Sequence, residues 1–303
     1  QVEALCKDLP NLIWHQDEPF GSTSIYAQWN VMKLAKEAGV TVLLDGQGAD
    51  ELMAGYTPAF YHSFVRSLKN GHFIRLAREI KATKNSPTMK PSQFSRGMLG
   101  ALLPGRGRTM ILGTLKTGIE WANDNFRNHY LRFFTWPKKF EDGVNNYLYH
   151  AFRFAALPGL LQYEDRNSMA FSLEARLPFL DFRLIEYLFS LSSDQKIMGG
   201  SSKVIFRNAM KGILPEEIRI RSDKMGFATP EEIWFRTSLR SSIREMISSK
   251  SFAERGCFNV ERVRKAFDRH CEGKINISFT IWRWVNLENW FRTFIDRQPS
   301  AEI

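Results

Sequence analysis

Four short segments carry residue types whose chemistry goes beyond what packing requires. The first reads Asp45-Gly46-Gln47-Gly48-Ala49-Asp50-Glu51, followed by Gly55-Tyr56. Closely spaced glycines let backbone N–H groups approach phosphate oxygens. Gly46, Gly48, Asp50 and Glu51 are therefore candidate cofactor-binding residues. A carboxylate opening the next helix can hold Mg²⁺ against those phosphates, which makes Asp50 the candidate metal ligand. A tight turn with an acidic helix start, favoured by the helix dipole, accounts for the same pattern without a ligand.

The second segment, Gly199-Gly200-Ser201-Ser202-Lys203, is expected to open a helix, with Arg207 on the same face as Lys203. A cation in a first helical turn opposes the macrodipole. Lys203 is misplaced there unless an anion binds, and helix N-termini do bind phosphate; the alternative is an exposed lysine at small cost. The third, Arg219 through Phe227, is a basic loop with Gly226, either a phosphate clamp or a surface loop. The fourth joins Tyr163-Glu164-Asp165-Arg166 to the run Leu173-Glu174-Ala175-Arg176-Leu177-Pro178-Phe179-Leu180-Asp181. Glu174 and Arg176 are expected to pair and brace the core, leaving Asp165 and Arg166 as the site candidates. The histidines are scattered, and none stands in a zinc or serine-hydrolase setting.

Positioning these segments takes a scaffold, and helical periodicity dominates it. Ser22, Thr23 and Ser24 offer caps for a helix through Ile25, Trp29, Met32, Leu34 and Ala35, which Gly39 can stop. Val40 to Leu44 is a continuous apolar run, suited to a parallel strand buried on both faces. Ligands of open α/β sheets sit outside the carboxyl ends of such strands, where the first segment begins. From Ala59 onward helix signals follow one another with few credible strands. Phe64 to Lys84 is a basic amphipathic segment, and Ser86-Pro87 to Pro91-Ser92 and Leu103-Pro104-Gly105 are loops. Asp181 can cap a helix through Leu184, Ile185, Leu188 and Phe189. The tail from Phe279 to Phe294 offers Ile281, Trp284, Val285, Trp290 and Phe294 for burial. One parallel strand makes no sheet, so its partners lie outside this chain or in strands the pattern hides.

Composition sets outer bounds. The 303 residues are 44% hydrophobic and 24% charged, with 24 Phe and 8 Trp, ample for a core and incompatible with disorder. No run reaches the roughly 18 apolar residues of a membrane helix. Cys6, Cys257 and Cys271 form neither a metal-ligand spacing nor a disulfide ladder, which suits a reducing compartment and a cytoplasmic protein. Gln1 to Pro10 reads as the middle of an amphipathic helix rather than a signal peptide, so the chain is expected to begin inside a longer protein. Residues 1–50 hold 3 Lys and Arg against 7 Asp and Glu, net −4; residues 51–150 hold 15 against 6, net +9. Such a basic middle suits either a polyanion or a solvated helix face.

In their order and number these segments resemble the synthetase domain of glutamine-dependent asparagine synthetases. The resemblance runs from Trp14-His15-Gln16-Asp17-Glu18-Pro19-Phe20 through Leu44 to Leu52 and Gly55-Tyr56. It continues through Asp165-Arg166 with Ser168-Met169, Leu173 to Asp181, and Gly199-Gly200 with Lys203 and Arg207. It ends with Lys224, Gly226-Phe227 and Trp282-Arg283-Trp284-Val285-Asn286-Leu287-Glu288. It implies an ATP-dependent amide ligase that adenylates a carboxylate, releases pyrophosphate and lets ammonia attack the acyl-adenylate. The implied cofactors are ATP and Mg²⁺. Asp50 matches the Mg²⁺ position, and Lys203 and Lys224 match lysines on phosphate, with Lys224 also suited to charge at the reacting carbonyl. The implied fold is an α/β fragment, predominantly α-helical. Residues 1–58 would be the rear part of an adenine-nucleotide α-hydrolase-like (ATP pyrophosphatase) domain, and 59–303 a mainly helical subdomain.

Two departures qualify the match. The family's Ser-Gly-Gly-x-Asp-Ser pyrophosphatase loop and its glutaminase domain are not in this sequence, and Cys6 stands in an unrelated helix. Both are expected upstream in a parent chain, leaving this fragment inactive alone. Second, asparagine synthetases typically carry Glu at position 47, able to take a proton from the attacking amine; Gln47 cannot serve as a carboxylate base. Aspartate is the default acceptor, with ammonia from glutamine. The alternatives are another carboxylate, such as a uronic acid in surface polysaccharide assembly, or an inactive basic helical module binding nucleic acid through residues 51–150. Lys224, Gln47, Asp165 and Arg166 are the catalytic candidates, and no membrane partner is expected.

Overall fold

Apolar spacing at the helical period carries most of the chain into helices. The computed structural model describes residues 2–83, 91–102, 120–130, 137–221 and 226–296. The helix expected after the serine-threonine run spans Ser24–Glu37, and Gly39 ends it in the left-handed region at φ +76°. The apolar run then becomes strand β1, Val42–Leu44.

β1 has a partner within the chain. Strand β2, Glu174–Arg176, pairs with it in parallel, Val42 opposite Glu174 and Leu44 opposite Arg176. Its Glu-Ala-Arg sequence lacks the apolar run that marks β1, which is why the pattern hides it. Burial of β1 on both faces does not hold: Val42 is 41% and Leu44 74% exposed, so the face these two residues share has no covering layer among the described residues. Glu174 and Arg176 do pair, at 2.8 Å, but on exposed side chains. Residues i and i+2 of a strand share a face, here the outward one, so the pair does not brace the core.

A second correction concerns Gly199-Gly200. The two glycines, at φ +60° and +75°, form the two-residue loop of a hairpin between β3, Ile197–Met198, and β4, Ser201–Ser202. Positive φ at both central residues is what a primed hairpin turn requires; the helix starts only at Val204. The basic segment expected from Phe64 to Lys84 likewise divides into Thr57–Lys69 and Phe73–Thr83, with Gly71 at φ +70° between them.

The largest core cluster joins the two ends of the chain. Leu5, Leu12, Ile13 and Trp29 pack in one buried group with Phe235, Phe252, Phe267, Trp282 and Trp284. Polar bonds fix the same junction: the Trp282 indole donates to the Phe20 carbonyl at 3.2 Å and the Phe20 N–H to Asn286 Oδ1 at 2.8 Å. Trp290 donates to the Asp17 carbonyl at 2.7 Å. The segment Trp14–Phe20 is thereby seated on the tail helix, Ser278–Phe294. A second cluster gathers Phe60, Phe64, Val144, Leu148 and Ile197, and a third, with Leu52, Met53 and Leu188, lies under the first chemical segment. No helix among the described residues is long and apolar enough to cross a membrane.

Candidate active site

The site grows from the carboxyl end of β1. The Asp45 N–H donates to the Arg176 carbonyl at 2.9 Å and extends the ladder by one residue. The chain then turns through Gly46-Gln47-Gly48 into the one-turn helix Ala49–Leu52. The two glycines differ in role. Gly48 sits at φ +91°, and a Cβ there would lie 2.4 Å from Leu180 Cδ2. It closes the loop onto the Pro178–Leu180 turn that follows β2. Gly46 is exposed, with open space where a Cβ would be, so its backbone is the one a ligand can approach.

Asp50 and Glu51, adjacent in sequence, are separated in environment. Asp50 Oδ1 stands 2.5 Å from Lys203 Nζ, with both side chains partly exposed. A Cβ at Gly55 would lie 2.0 Å from that same oxygen, so the glycine is what makes room for the carboxylate. Glu51 is buried and accepts the Tyr56 hydroxyl at 2.5 Å. Burial, then the Glu51 carboxylate, hold that hydroxyl protonated well above its ordinary range. A single partly exposed carboxylate beside a cation suits the way Mg²⁺ is held with nucleotide phosphates, by one or two carboxylates completed by phosphate oxygens and water. Among the described residues no group of three or more His, Cys, Asp or Glu could hold a metal unaided.

Lys203 precedes its helix, Val204–Ala209, in left-handed backbone at φ +56°, and its N–H donates to the Met53 carbonyl at 3.0 Å. It is thus not in the first helical turn, and Asp50 rather than a required external anion answers its charge. The Gly199 and Gly200 N–H groups are likewise taken by the chain, donating to the buried Glu79 carboxylate at 2.9 and 3.1 Å. Arg207 does not present its charge beside Lys203. Its guanidinium donates to the carbonyls of Ser202 at 2.9 Å, Arg221 at 2.8 Å and Arg219. It therefore ties the residue before Lys203 to the strand of chain leading into residues 222–225. Beyond them, Thr23 bonds Thr229 and, at 2.5 Å, Glu231. Lys224 itself lies outside the described residues.

The fourth segment lies on the helix Leu157–Ala170. Its period turns Leu157, Glu164, Asn167 and Ser168 inward and leaves Asp165 and Arg166 exposed. Arg166 pairs with Asp17 at 2.8 Å. The residue brought to the strand exit is Glu164, 3% exposed, which reasoning from charged pairs passed over; the spacing 157, 164, 167, 168 is the signal that finds it. Glu164 Oε2 accepts from Gln47 Nε2 at 3.0 Å and from Gln28 Nε2 at 2.5 Å. Asn167 completes the cluster, donating to Gln28 Oε1 at 2.9 Å and accepting from Gln16 Nε2 at 2.9 Å. Burial, then the contacting Asp45 carboxyl, push Glu164 up to about 7 against the two glutamine donors.

Of the basic middle, Arg66 and Arg75 are engaged by acidic partners, Asp142 at 2.8 Å and Asp194. Lys84, Lys90, Arg106, Arg108, Lys116 and Arg132 lie outside the described residues.

With this geometry in view, relatives can be weighed. The chain is 27% identical to asparagine synthetase 1, glutamine-hydrolyzing, of Bacillus subtilis over 99% of its own length and 48% of that protein. It is 25% identical to a putative asparagine synthetase of Mycobacterium tuberculosis over 97% of its own length and 46% of that protein. A 138-residue stretch is 30% identical to the asparagine synthetase of Gallus gallus, covering 40% of the chain and 24% of that protein. The chain thus spans about half the length of the first two relatives. The family model for asparagine synthase matches residues 1–292, a span that takes in the first helix, Val2–Gln16, the whole strand-exit cluster and most of the tail helix. By that match the chain belongs to the asparagine synthase family.

Proposed function

We propose that this chain is the synthetase part of an ATP-dependent amide ligase. In the reaction a substrate carboxylate oxygen attacks the α-phosphorus of ATP and pyrophosphate leaves. Ammonia then attacks the acyl-adenylate carbonyl carbon, AMP departs, and a proton passes to solvent as the amide forms. The observation that carries the reading is the Asp50–Lys203 pair, 2.5 Å apart at the carboxyl end of a parallel strand. One cation and one carboxylate outside the carboxyl end of a parallel strand support a phosphate-binding role for this pair.

Each residue then has a task. Lys203 exchanges its contact with Asp50 for pyrophosphate oxygens. Asp50, released from that pair, would hold Mg²⁺, which when bound neutralises phosphate charge. Gly46 leaves its N–H open to the ligand. Lys224, between the Arg207 and Thr23 anchors, supplies positive charge to phosphate and to the carbonyl under attack. The names of the relatives support aspartate as acceptor and glutamine as nitrogen source, the latter through a glutaminase domain in the parent protein. Gln47 favours a second reading, amidation of a different carboxylate such as a uronic acid, because an amide cannot take a proton as a carboxylate does.

ATP–pyrophosphate exchange by the parent protein, measured across a panel of carboxylates, tests the proposal. Exchange is expected only when a carboxylate acceptor is present. Lys203→Ala should lower it by about 10²-fold, in line with removal of one placed charge-stabilising group. Exchange independent of any carboxylate, or untouched by Lys203→Ala, overturns the ligase reading. Exclusive use of aspartate removes the second reading.

A further inference from the structure

Lys203 is carried on an arm of chain that is held at its root and at its tip. The arm is the β3–β4 hairpin, and Ser202, its last strand residue, directly precedes Lys203. Two contacts fix its base. Ile197 is buried within the second core cluster, and the Lys196 carbonyl accepts the Val204 N–H at 3.1 Å. The tip is held by a side chain from another element. Glu79, buried on the helix Phe73–Thr83, accepts the Gly199 N–H on one carboxylate oxygen and the Gly200 N–H on the other, at 2.9 and 3.1 Å.

A two-residue hairpin closes on its own ladder, and burying a carboxylate is costly, so turn formation alone does not call for Glu79. What the carboxylate adds is location. It pins the turn so close to the helix that a Cβ at Gly200 would lie 2.8 Å from Ala82 Cβ. Arg75, one turn earlier on that helix, bonds Asp194 at 3.2 Å, just before the hairpin. Only Ser201 and Ser202 stand between the turn and Lys203, and both are paired in the ladder, to Met198 and Ile197. A shift of the turn is therefore passed on to the lysine.

We infer that Glu79 is a positioning residue: by fixing the turn it sets the place from which Lys203 reaches pyrophosphate oxygens. The inference rests on the ligase reading and adds to it a buried residue that acts through the backbone. Loss of Glu79 then acts on the reaction through Lys203.

The test is ATP–pyrophosphate exchange by the parent protein with its preferred carboxylate, comparing Glu79→Ala in the wild type and in Lys203→Ala. In the wild-type background exchange should fall about 10- to 100-fold, the scale of a small misplacement of a reacting group. KM for pyrophosphate should rise while KM for the carboxylate stays unchanged. In the Lys203→Ala background the same substitution should change exchange by less than about twofold, because residues that serve one contact are not additive. Unchanged exchange in Glu79→Ala, or an unchanged KM for pyrophosphate, overturns the inference. So does an equal fall in both backgrounds, which is what a general loss of folded protein would give. Should Glu79→Ala not fold, Glu79→Gln fills the same space and keeps one acceptor oxygen. It should show a smaller fall, about 10-fold, with the same dependence on Lys203, and absence of that dependence also overturns the inference. A wild type with no exchange on any carboxylate is the separate failure of the ligase reading.

Discussion

Replacing Glu164 by Gln should abolish a pH dependence of stability that the wild type carries. The folded protein holds this carboxyl up to about 7, against an ordinary value of 4.5, through burial and its contact with Asp45. Between those two values the folded state binds a proton that the unfolded chain has released. Stability therefore falls as pH rises through the interval, the reverse of the behaviour of an ion-paired carboxylate. At about 1.4 kcal/mol per pH unit, the interval is worth about 3 kcal/mol. Glutamine has the shape and hydrogen-bonding pattern of the protonated acid, donating to Asp45 and accepting from Gln47 and Gln28, but does not titrate. The assay is urea unfolding of both proteins, followed by circular dichroism, at intervals from pH 4.5 to 7.5. Titrating groups other than Asp45, which contacts Glu164, are shared and cancel in the difference. The two should be similar near pH 4.5, and the variant should be the more stable by about 3 kcal/mol above pH 7, about 1 M in urea midpoint. Parallel curves, or a wild type that gains on the variant with rising pH, would refute the assignment of a high-affinity proton to this carboxyl.

Gly48→Ala should destabilise the protein by about 2 kcal/mol or more, because φ is +91° and the added methyl meets Leu180. Gly46→Ala should cost within about 0.5 kcal/mol, and equal losses in thermal unfolding would contradict the division of roles. Lys196 is fully buried, with its Nζ on Asn145 Oδ1 at 2.7 Å, and burial pulls its ammonium down to about 8. From pH 8 toward 10.5 the unfolded chain keeps a proton that the folded one has lost, so stability should rise there. Lys196→Met should lack that rise, and identical pH profiles in urea would count against it. Arg207→Lys should lower the amide-forming rate of the parent by about 10²-fold, since a lysine cannot bridge three carbonyls and small displacements of charged groups are costly in rate. Single-turnover kinetics with wild-type speed would show that the bridge does not place the segment carrying Lys224.

Much of the fold is legible in the sequence where one local pattern suffices. The helix ending at Gly39 and the Asp181 cap, whose Oδ1 accepts the Arg183 N–H at 2.9 Å, follow from side chains bonding or shaping their own neighbours. So does the inward stripe of the tail helix, where Ile281 and Trp284 are buried. Gly199-Gly200 reads as the opening of a helix because paired glycines serve turns and helix starts alike; the structure makes it a hairpin loop whose N–H groups bond Glu79, more than a hundred residues away. β2 has no local signature: its partner β1 lies 132 residues upstream in the chain, Val42 opposite Glu174, and its outward side chains are those of a loop. In the site, charge pointed to Asp165 and Arg166, yet helical phase turns them to solvent and Glu164 inward.

By itself the sequence determined the order of the chemical segments, the family they match, the strand leading into the glycine loop and the helical character of the rest. Those are properties of spacing along the chain, and spacing survives without coordinates. The tertiary structure decided which charges meet. Asp50 with Lys203, Glu164 with Asp45 and Gln47, and Arg207 with the carbonyls flanking residues 222–225 are encounters between elements distant in sequence. Their partners, and the burial that sets the Glu164 proton affinity, arise only when separate elements exclude water from the same few ångströms.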